Sequence, residues 1–382
     1  MKIIQATSSV AGLLKKRGCY LVENVNAGEF MARDQAEVLD KAFFGDVFAR
    51  TAGVTRDGTP LVIIRPGGFG DLLAMRASLL SLLRDPQVGP LAVCCMKTYR
   101  PALAGLWEKG LEWLPYPLPL HLLKSRWWVS LENCVEREPM GREMSLGRLW
   151  SSLLQAETDN IEDSYPVPQE AATLARMAMA KVDRYGSKKA PWIAVHCRSS
   201  ALCRTYPKVF MQKVIELLLE RGHYVAVVGA AGEVPMNREP TGILNFTQRD
   251  GFESFEAQAA VMAQCDVFLG PDSALLHLAG LLGKPGVGLF GPIPSKLRVA
   301  DYPGIEGIDG SARCAPCFHH VRGGLQWPAN GPCQQTGRCE ALASIHPTRV
   351  VVRVEKALGL GPIGRFVWGI KHGQNRHKLC GS

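Results

Sequence analysis

Apolar and polar positions along this chain follow two periods, a short β-branched run and a longer helical spacing, and the two alternate. Residues 61–65 (LVIIR) form a β-branched run stopped by Pro66, which reads as a buried parallel strand. The glycine-rich turn PGGFGD follows, and residues 72–83 space their apolar side chains as a helix does. Strand, glycine turn and helix in that order open a Rossmann-like half. Residues 91–95 (LAVCC) read as the next strand, the Pro- and Trp-rich stretch 106–128 as loop, and 168–183 as helix. The polar segment RYGSKKAP (184–191) is the expected domain boundary.

Beyond it the alternation restarts more clearly. Strands are expected at 192–196, 223–229, 243–247, 266–270 and 286–291, with helices at 208–221, 254–264 and 273–282. Such a succession predicts a parallel, doubly wound sheet. The expected fold class is therefore α/β, with two Rossmann-type parallel-sheet domains facing a central cleft. Residues 1–58 form an N-terminal extension, 59–186 one domain, 187–360 the other with a Cys-rich insert at 314–339, and 361–382 a basic tail.

Length and composition agree with this layout. The chain has 382 residues, 47% hydrophobic and 21% charged, enough for two α/β domains of ordinary size. A net charge of +9 favours anionic ligands such as nucleotide diphosphates, phosphorylated glycans or acidic membrane surfaces. The positive residues are spread along the chain, apart from a tail around Lys371, Arg376 and Lys378, with no Lys/Arg stripe interleaved with aromatics; nucleic acid is not an expected partner. No apolar run reaches about 18 residues, so no transmembrane segment is expected. The N-terminus lacks the order of a signal peptide and runs into Lys15, Lys16 and Arg17, which reads as cytoplasmic. Of the 12 cysteines, Cys94, Cys95, Cys197 and Cys265 fall in strands or helix ends, as small buried hydrophobes.

Two turns carry candidate chemistry. In PGGFGDLLAM, Gly67, Gly68 and Gly70 let the backbone turn sharply at a strand end, where open α/β sheets bind ligands. The spacing is not GxGxxG. Asp71 at the helix start is either a helix cap or a general base that accepts a hydroxyl proton. In DVFLGPDSALLHLAGLLGKPGVGLFGP, a strand ends before Pro271 and Asp272, and Ser273, Ala274 and Leu275 present backbone N–H groups at a helix N-terminus suited to a diphosphate. His277, one turn further in, is either a ligand or a packed helix histidine, and Asp272 and Ser273 also serve as caps. Gly283, Gly286, Gly288 and Gly291 admit either a nucleotide or close helix–sheet packing. Between the two turns, Arg198 and Arg204 follow a strand, where Arg clamps phosphate or makes a surface ion pair. Glu233 follows the strand VVG and either holds a ribose or sugar hydroxyl or starts a loop.

These motifs, in this order, resemble glycosyltransferase family 9, the ADP-heptose:lipopolysaccharide heptosyltransferases. PGGFGDLLAM is similar to that family's first Gly/Ser turn with its Asp, RTYPKVF to its basic-x-aromatic-Pro segment, VVGAAGE to its strand ending in Gly and Glu, and GPDSALLHLAGLLGKPGVGLFGP to its Asp-Ser/Thr-Gly-x-x-His stretch. The resemblance spans roughly residues 61–358 and implies a GT-B-like fold and an inverting sugar transferase. It assigns Asp71 as the base, Arg204 to the diphosphate in place of the family's usual Lys, Glu233 to the nucleoside, and Asp272 to the heptose. It gives the amides of Ser273, Ala274 and Leu275 to the phosphates, although Ala274 stands where the family has Gly. Residues 100–165 do not align with it, so the acceptor, lipopolysaccharide core or protein, stays open. No Asp-x-Asp occurs, and no catalytic metal is expected.

Cys314, Cys317, Cys333 and Cys339 begin as CxxC with a second pair downstream, a spacing that suits structural Zn or Fe, although the last gap exceeds the usual one. A disulfide pair or four unlinked thiols are the alternatives, and His319 and His320 are substitute ligands. The family subset that glycosylates autotransporter proteins resembles this chain in carrying a cysteine-rich metal finger near the C-terminus, which raises a protein acceptor. Expected partners are thus an ADP-sugar and a glycan or protein, with a homo-oligomer open, and peripheral attachment at the inner membrane face is compatible with the cytoplasmic reading. Competing functions are a UDP-sugar transferase or epimerase on the same two-domain plan, and a non-catalytic nucleotide-binding assembly protein.

Overall fold

The computed structural model describes residues 21–24, 29–32, 56–116, 126–131, 134–137, 142–183, 190–232, 240–318, 332–333 and 335–360. In the N-terminal extension, Leu21–Asn24 (β1) and Glu29–Ala32 (β2) pair as an antiparallel ribbon. The chain then forms two compact units that divide between Pro166 and Val167.

The first unit holds a four-stranded parallel sheet of Leu61–Ile64 (β3), Leu91–Cys95 (β4), Glu112–Pro115 (β5) and Trp127–Ser130 (β6), in the order β5-β4-β3-β6. Helix Phe69–Arg84 (α1) connects β3 to β4, and Leu146–Leu154 (α2) packs on it. Residues 61–64 and 91–95 are buried throughout, as continuous apolar runs of a covered parallel sheet are. The stretch read as loop, 106–128, in fact holds β5 and the start of β6. Both are edge strands, and β5 is largely solvent-facing, so neither shows the apolar run that betrays a central strand. Arg76, on α1, is fully buried and bonds Asp163 with Nε and Nη2 (2.8 and 2.9 Å), while its Nη1 donates to the carbonyls of Ala102 and Ala104. This ion pair pins residues 163–165 to the helix.

The second unit is built around a six-stranded parallel sheet. Its strands are Trp192–His196 (β7), Tyr224–Val228 (β8), Ile243–Asn245 (β9), Val267–Pro271 (β10), Gly286–Phe290 (β11) and Ile305–Asp309 (β12), in the order β12-β11-β10-β7-β8-β9. The helices are Gln169–Asp183 (α3), Lys208–Glu220 (α4), Phe255–Gln264 (α5), Ala274–Leu281 (α6), the one-turn Lys296–Val299 (α7), Glu340–Ala343 (α8) and Pro347–Ala357 (α9). Because α3 packs on α5, the unit begins before the polar segment 184–191. Helices α4 and α9 cover one face, where Val195, Ile215, Leu269, Leu289 and Val351 are among the core residues. Each such side chain contributes about 1.5–3 kcal/mol by burial. Tyr206 ties this face together by donating its hydroxyl to the Ile345 carbonyl at 2.5 Å.

Both sheets therefore share one winding. From β3 the chain steps outward through β4 and β5, then returns to the other side at β6; from β7 it steps through β8 and β9 and returns at β10. The reversal leaves a crevice beyond the carboxyl ends of β3/β6 and of β7/β10, the place where ligands bind in such sheets. Among the described residues, no helix is long and apolar enough to cross a membrane.

Candidate functional site

At the β7/β10 reversal the two strand ends are drawn together by Gly270. A Cβ there would lie 2.7 Å from the Phe268 ring and 3.0 Å from the Cβ of His196. Past β10 the chain enters Asp272 and then Ser273, the N-cap of α6. Ser273 does not use its hydroxyl to cap the helix. Its Oγ instead lies 2.9 Å from Nδ1 of His196, the last residue of β7. The backbone N–H groups of the first turn are thus left to other acceptors, with the positive end of the helix behind them.

Asp272 is buried and faces two cations. Arg204 Nη1 is 3.4 Å and Arg298 Nε 3.7 Å from its Oδ2. Burial alone would push the carboxyl up, but Arg204, then Arg298 and His277, outweigh it and hold Asp272 below the usual carboxylate range. Ser199 Oγ donates to the Asp272 carbonyl (2.9 Å), and the Ser199 amide donates to Thr205 Oγ1, so the segment carrying Arg204 is laced to the β10 turn. His277 is buried, with Nδ1 3.1 Å from the Tyr302 hydroxyl and the two rings edge to face. Among the described residues, two guanidinium groups thus face one buried carboxylate.

The remaining expected donor residues fall as follows. Ala274 and Leu275 form the first turn of α6, and Arg198 is exposed on the loop after β7. Glu233 lies outside the described residues. The turn leading to it is anchored by buried Gln258, which accepts from the Gly229 amide at 2.9 Å and donates to the carbonyls of Phe246 and Phe252. Gly291 is explained by packing: a Cβ would meet Cys339 Sγ at 2.7 Å and Leu342 at 2.9 Å. Gly286 and Gly288 likewise face Ile305, Phe268 and Phe290.

At the β3/β6 reversal, Gly68 N-caps α1 with φ 93°, a conformation open to glycine. A Cβ there would lie 2.2 Å from Asp71 Oδ2, so the carboxylate folds back over the turn. Gly70 sits in the first turn beside it. Arg65, one residue past β3, reaches the same oxygen through Nη2 at 2.5 Å. Tyr99 stands against Gly67 and contacts Phe69 edge to face.

The cysteines divide. Cys94, Cys95, Cys197 and Cys265 are buried, as their positions in strands and helix ends foretold. Burial pushes the Cys203 thiol up to about 11; Arg204 opposes this, and Cys317 and Cys339 add to it. Cys339 is raised by burial and by Cys317 and Cys314. These thiols are therefore neighbours. Cys333 is the hydrogen-bond acceptor of Thr336 Oγ1 at 3.5 Å. Among the described residues, no group of three or more His, Cys, Asp or Glu side chains is arranged to hold a metal ion. His319 and His320 lie outside them.

Arg65, His196, Arg298 and Tyr302 were not singled out from the sequence. Each sits beside a motif, yet an isolated Arg, His or Tyr carries no spacing signal. Only the strand order, which brings residue 196 to 273 and 298 to 272, could have found the last three.

Residues 144–322 match Glycosyltransferase family 9 (heptosyltransferase), a region that contains the whole β7/β10 reversal but not Asp71. Lipooligosaccharide heptosyltransferase 2 of Haemophilus influenzae is 26% identical over 95 residues, which are 23% of this chain and only 28% of that protein. Among solved structures, E. coli ADP-heptose lps heptosyltransferase II superposes with a TM-score of 0.53 at 16% identity, covering 78% of this chain and 98% of that one. The iron-containing dodecameric glycosyltransferase TibC from enterotoxigenic E. coli gives 0.55 at 16% identity, covering 79% and 76%. A family 9 glycosyl transferase from Veillonella parvula gives 0.54 at 11%, covering 80% and 99%. At such identities the structural likeness shows the fold, which is GT-B-like with two parallel-sheet α/β domains. The order of motifs, the doubly wound sheets and the matched region together make the chain similar to the heptosyltransferases of glycosyltransferase family 9, whose fold it shares.

Proposed function

We propose that the chain transfers a heptose from ADP-heptose to a hydroxyl group of a glycan or protein acceptor, with inversion at the anomeric carbon. The observation that carries this reading is the uncapped α6 N-terminus beside a carboxylate that two arginines outnumber, all inside the family-matched region. The diphosphate accepts hydrogen bonds from the amides of Ser273, Ala274 and Leu275 and faces Arg204 and Arg298. Asp272, fixed as a carboxylate, accepts from a sugar hydroxyl, and Glu233 serves the nucleoside side.

In the reaction, Asp71 takes the acceptor proton. The acceptor oxygen forms a bond to the anomeric carbon, and the bond from that carbon to the diphosphate oxygen breaks on the opposite side. ADP leaves with the electron pair, its new charge met by the helix terminus and the arginines. The charge that a metal would neutralise elsewhere is met here by protein groups.

A structural Zn or Fe on Cys314, Cys317, Cys333 and Cys339 is a separate proposal. The closeness of Cys314 and Cys317 to Cys339, whose thiol they help to raise, supports it, and TibC is described as iron-containing. As placed, the described thiols do not form such a centre, and no step above runs through one. About one metal per reduced chain supports it, and less than about 0.2 rejects it.

Transfer is tested by mass spectrometry with ADP-heptose against heptose-deficient lipopolysaccharide core and against candidate proteins, with ADP, UDP and GDP ranked by thermal shift. Mass gain of one heptose on either acceptor, with ADP ranked first, supports the reading. UDP ranked first, or nucleotide binding without turnover, overturns it.

A further inference from the structure

We infer that Arg65 is a positioning residue for Asp71, fixing which carboxylate oxygen takes the acceptor proton. The inference rests on Asp71 serving as the base.

Arg65 follows β3 directly and is buried, although it carries a full charge. Its guanidinium is held on three sides. Nη1 donates to the Leu131 carbonyl at 2.8 Å, and Leu131, just past β6, is itself paired to Ile64 through its amide. The plane lies 5.4 Å from the ring centroid of Trp150, a fully buried residue of α2. Nη2 meets Asp71 Oδ2 at 2.5 Å. The arginine thus spans the β3/β6 reversal, with one arm on the far strand and the other on the carboxylate.

The consequence for Asp71 is specific. Oδ2 is occupied by Arg65 and lies over the turn at Gly68, which has no Cβ to obstruct it. Oδ1 accepts no hydrogen bond from any described residue, and the side chain keeps 23% of its surface exposed. Oδ1 is therefore the oxygen left to take a proton, and its direction is set by a guanidinium that cannot move without leaving Leu131 and Trp150. A helix cap alone would not need a buried cation anchored on a neighbouring strand.

The test is a double-mutant cycle on ADP release from ADP-heptose, measured with the acceptors above and in water alone. ADP affinity is followed by calorimetry and folding by circular dichroism. Arg65→Met is expected to lower kcat roughly 10²-fold, the cost of misplacing a reacting group by about 1 Å. Donor KM and ADP affinity stay within about twofold. Arg65→Lys, with one point charge in place of a fork, is expected to recover about tenfold of that loss. In the Asp71→Ala background, Arg65→Met is expected to cost nothing further.

Equal costs of Arg65→Met in both backgrounds, or kcat and ADP affinity falling in step, overturn the inference in favour of a structural role. If Arg65→Met does not fold, Arg65→Lys decides: unchanged turnover overturns the inference, and a drop that vanishes in the Asp71→Ala background supports it. A wild-type chain that releases no ADP under any of these conditions refutes the proposed function itself. A wild type that turns over beside an indifferent Arg65→Met sinks only this inference.

Discussion

Two sheet reversals of the same winding are furnished in opposite ways. At β7/β10, Arg204 and Arg298 face the single carboxylate of Asp272, and the helix that starts there leaves its first amides uncapped. At β3/β6, Arg65 meets the carboxylate of Asp71. On the proposed reading the β7/β10 reversal takes the anionic donor and the β3/β6 reversal aims a carboxylate. One topology offers the crevice twice, and the side chains around each differ.

The largest effect that would break this contrast comes from Asp71→Ala. Transfer is expected to fall by roughly 10²–10⁴-fold, the usual contribution of a general base. A variant that keeps full turnover would leave the β3/β6 reversal without a chemical role. Next in size is Arg76→Ala, which strands Asp163 in the core of the same unit. Breaking such a buried pair costs about 3–5 kcal/mol, read by urea denaturation, and a loss near zero would show that residues 163–165 are held by other contacts. On the other side, Arg298→Met is expected to weaken ADP binding to the folded protein about tenfold, or about 1.4 kcal/mol. Equal ADP affinity would remove Arg298 from the donor site.

The smallest effect sharpens the contrast by setting aside a histidine with no part in it. His223, in the turn between α4 and β8, is buried, with Nε2 3.5 Å from Glu355 of α9. Burial lowers its pKa from 6.5, only partly opposed by Glu355. The unfolded chain therefore binds this proton at a higher pH than the folded one. Its contribution to stability is complete above pH 6.5 and declines as pH falls toward the folded value. His223→Phe is expected to flatten the slope of stability below that pH without changing ADP affinity; an unaltered slope would contradict it.

The central strands were legible in the sequence because they are buried and read as unbroken apolar runs, and their glycine turns and the α6 terminus because Gly, Pro and Asp punctuate the chain there. Residues 91–95 and 192–196 fall where they were expected, residue for residue. Edge elements were not. β5, β6 and β12 mix aromatic, charged and glycine positions because one side meets solvent, and α9 follows a cysteine-rich stretch that hides its start. The motif side chains Asp71, Arg204, Asp272 and Ser273 stand out by their neighbours in sequence. Their supports, Arg65, His196 and Arg298, act through neighbours in space, and His196 and Arg298 do so across intervals set only by strand order. Glu233, His319 and His320 lie outside the described residues.

The division of labour between the two reversals is tested most directly by calorimetric titration of ADP into the wild type, Asp71→Ala and Arg204→Met. Equal affinity for the first two, and at least about tenfold weaker binding for the third, is the expected result. Binding that weakens as much on loss of Asp71 as on loss of Arg204, or that survives Arg204→Met unchanged, would contradict it.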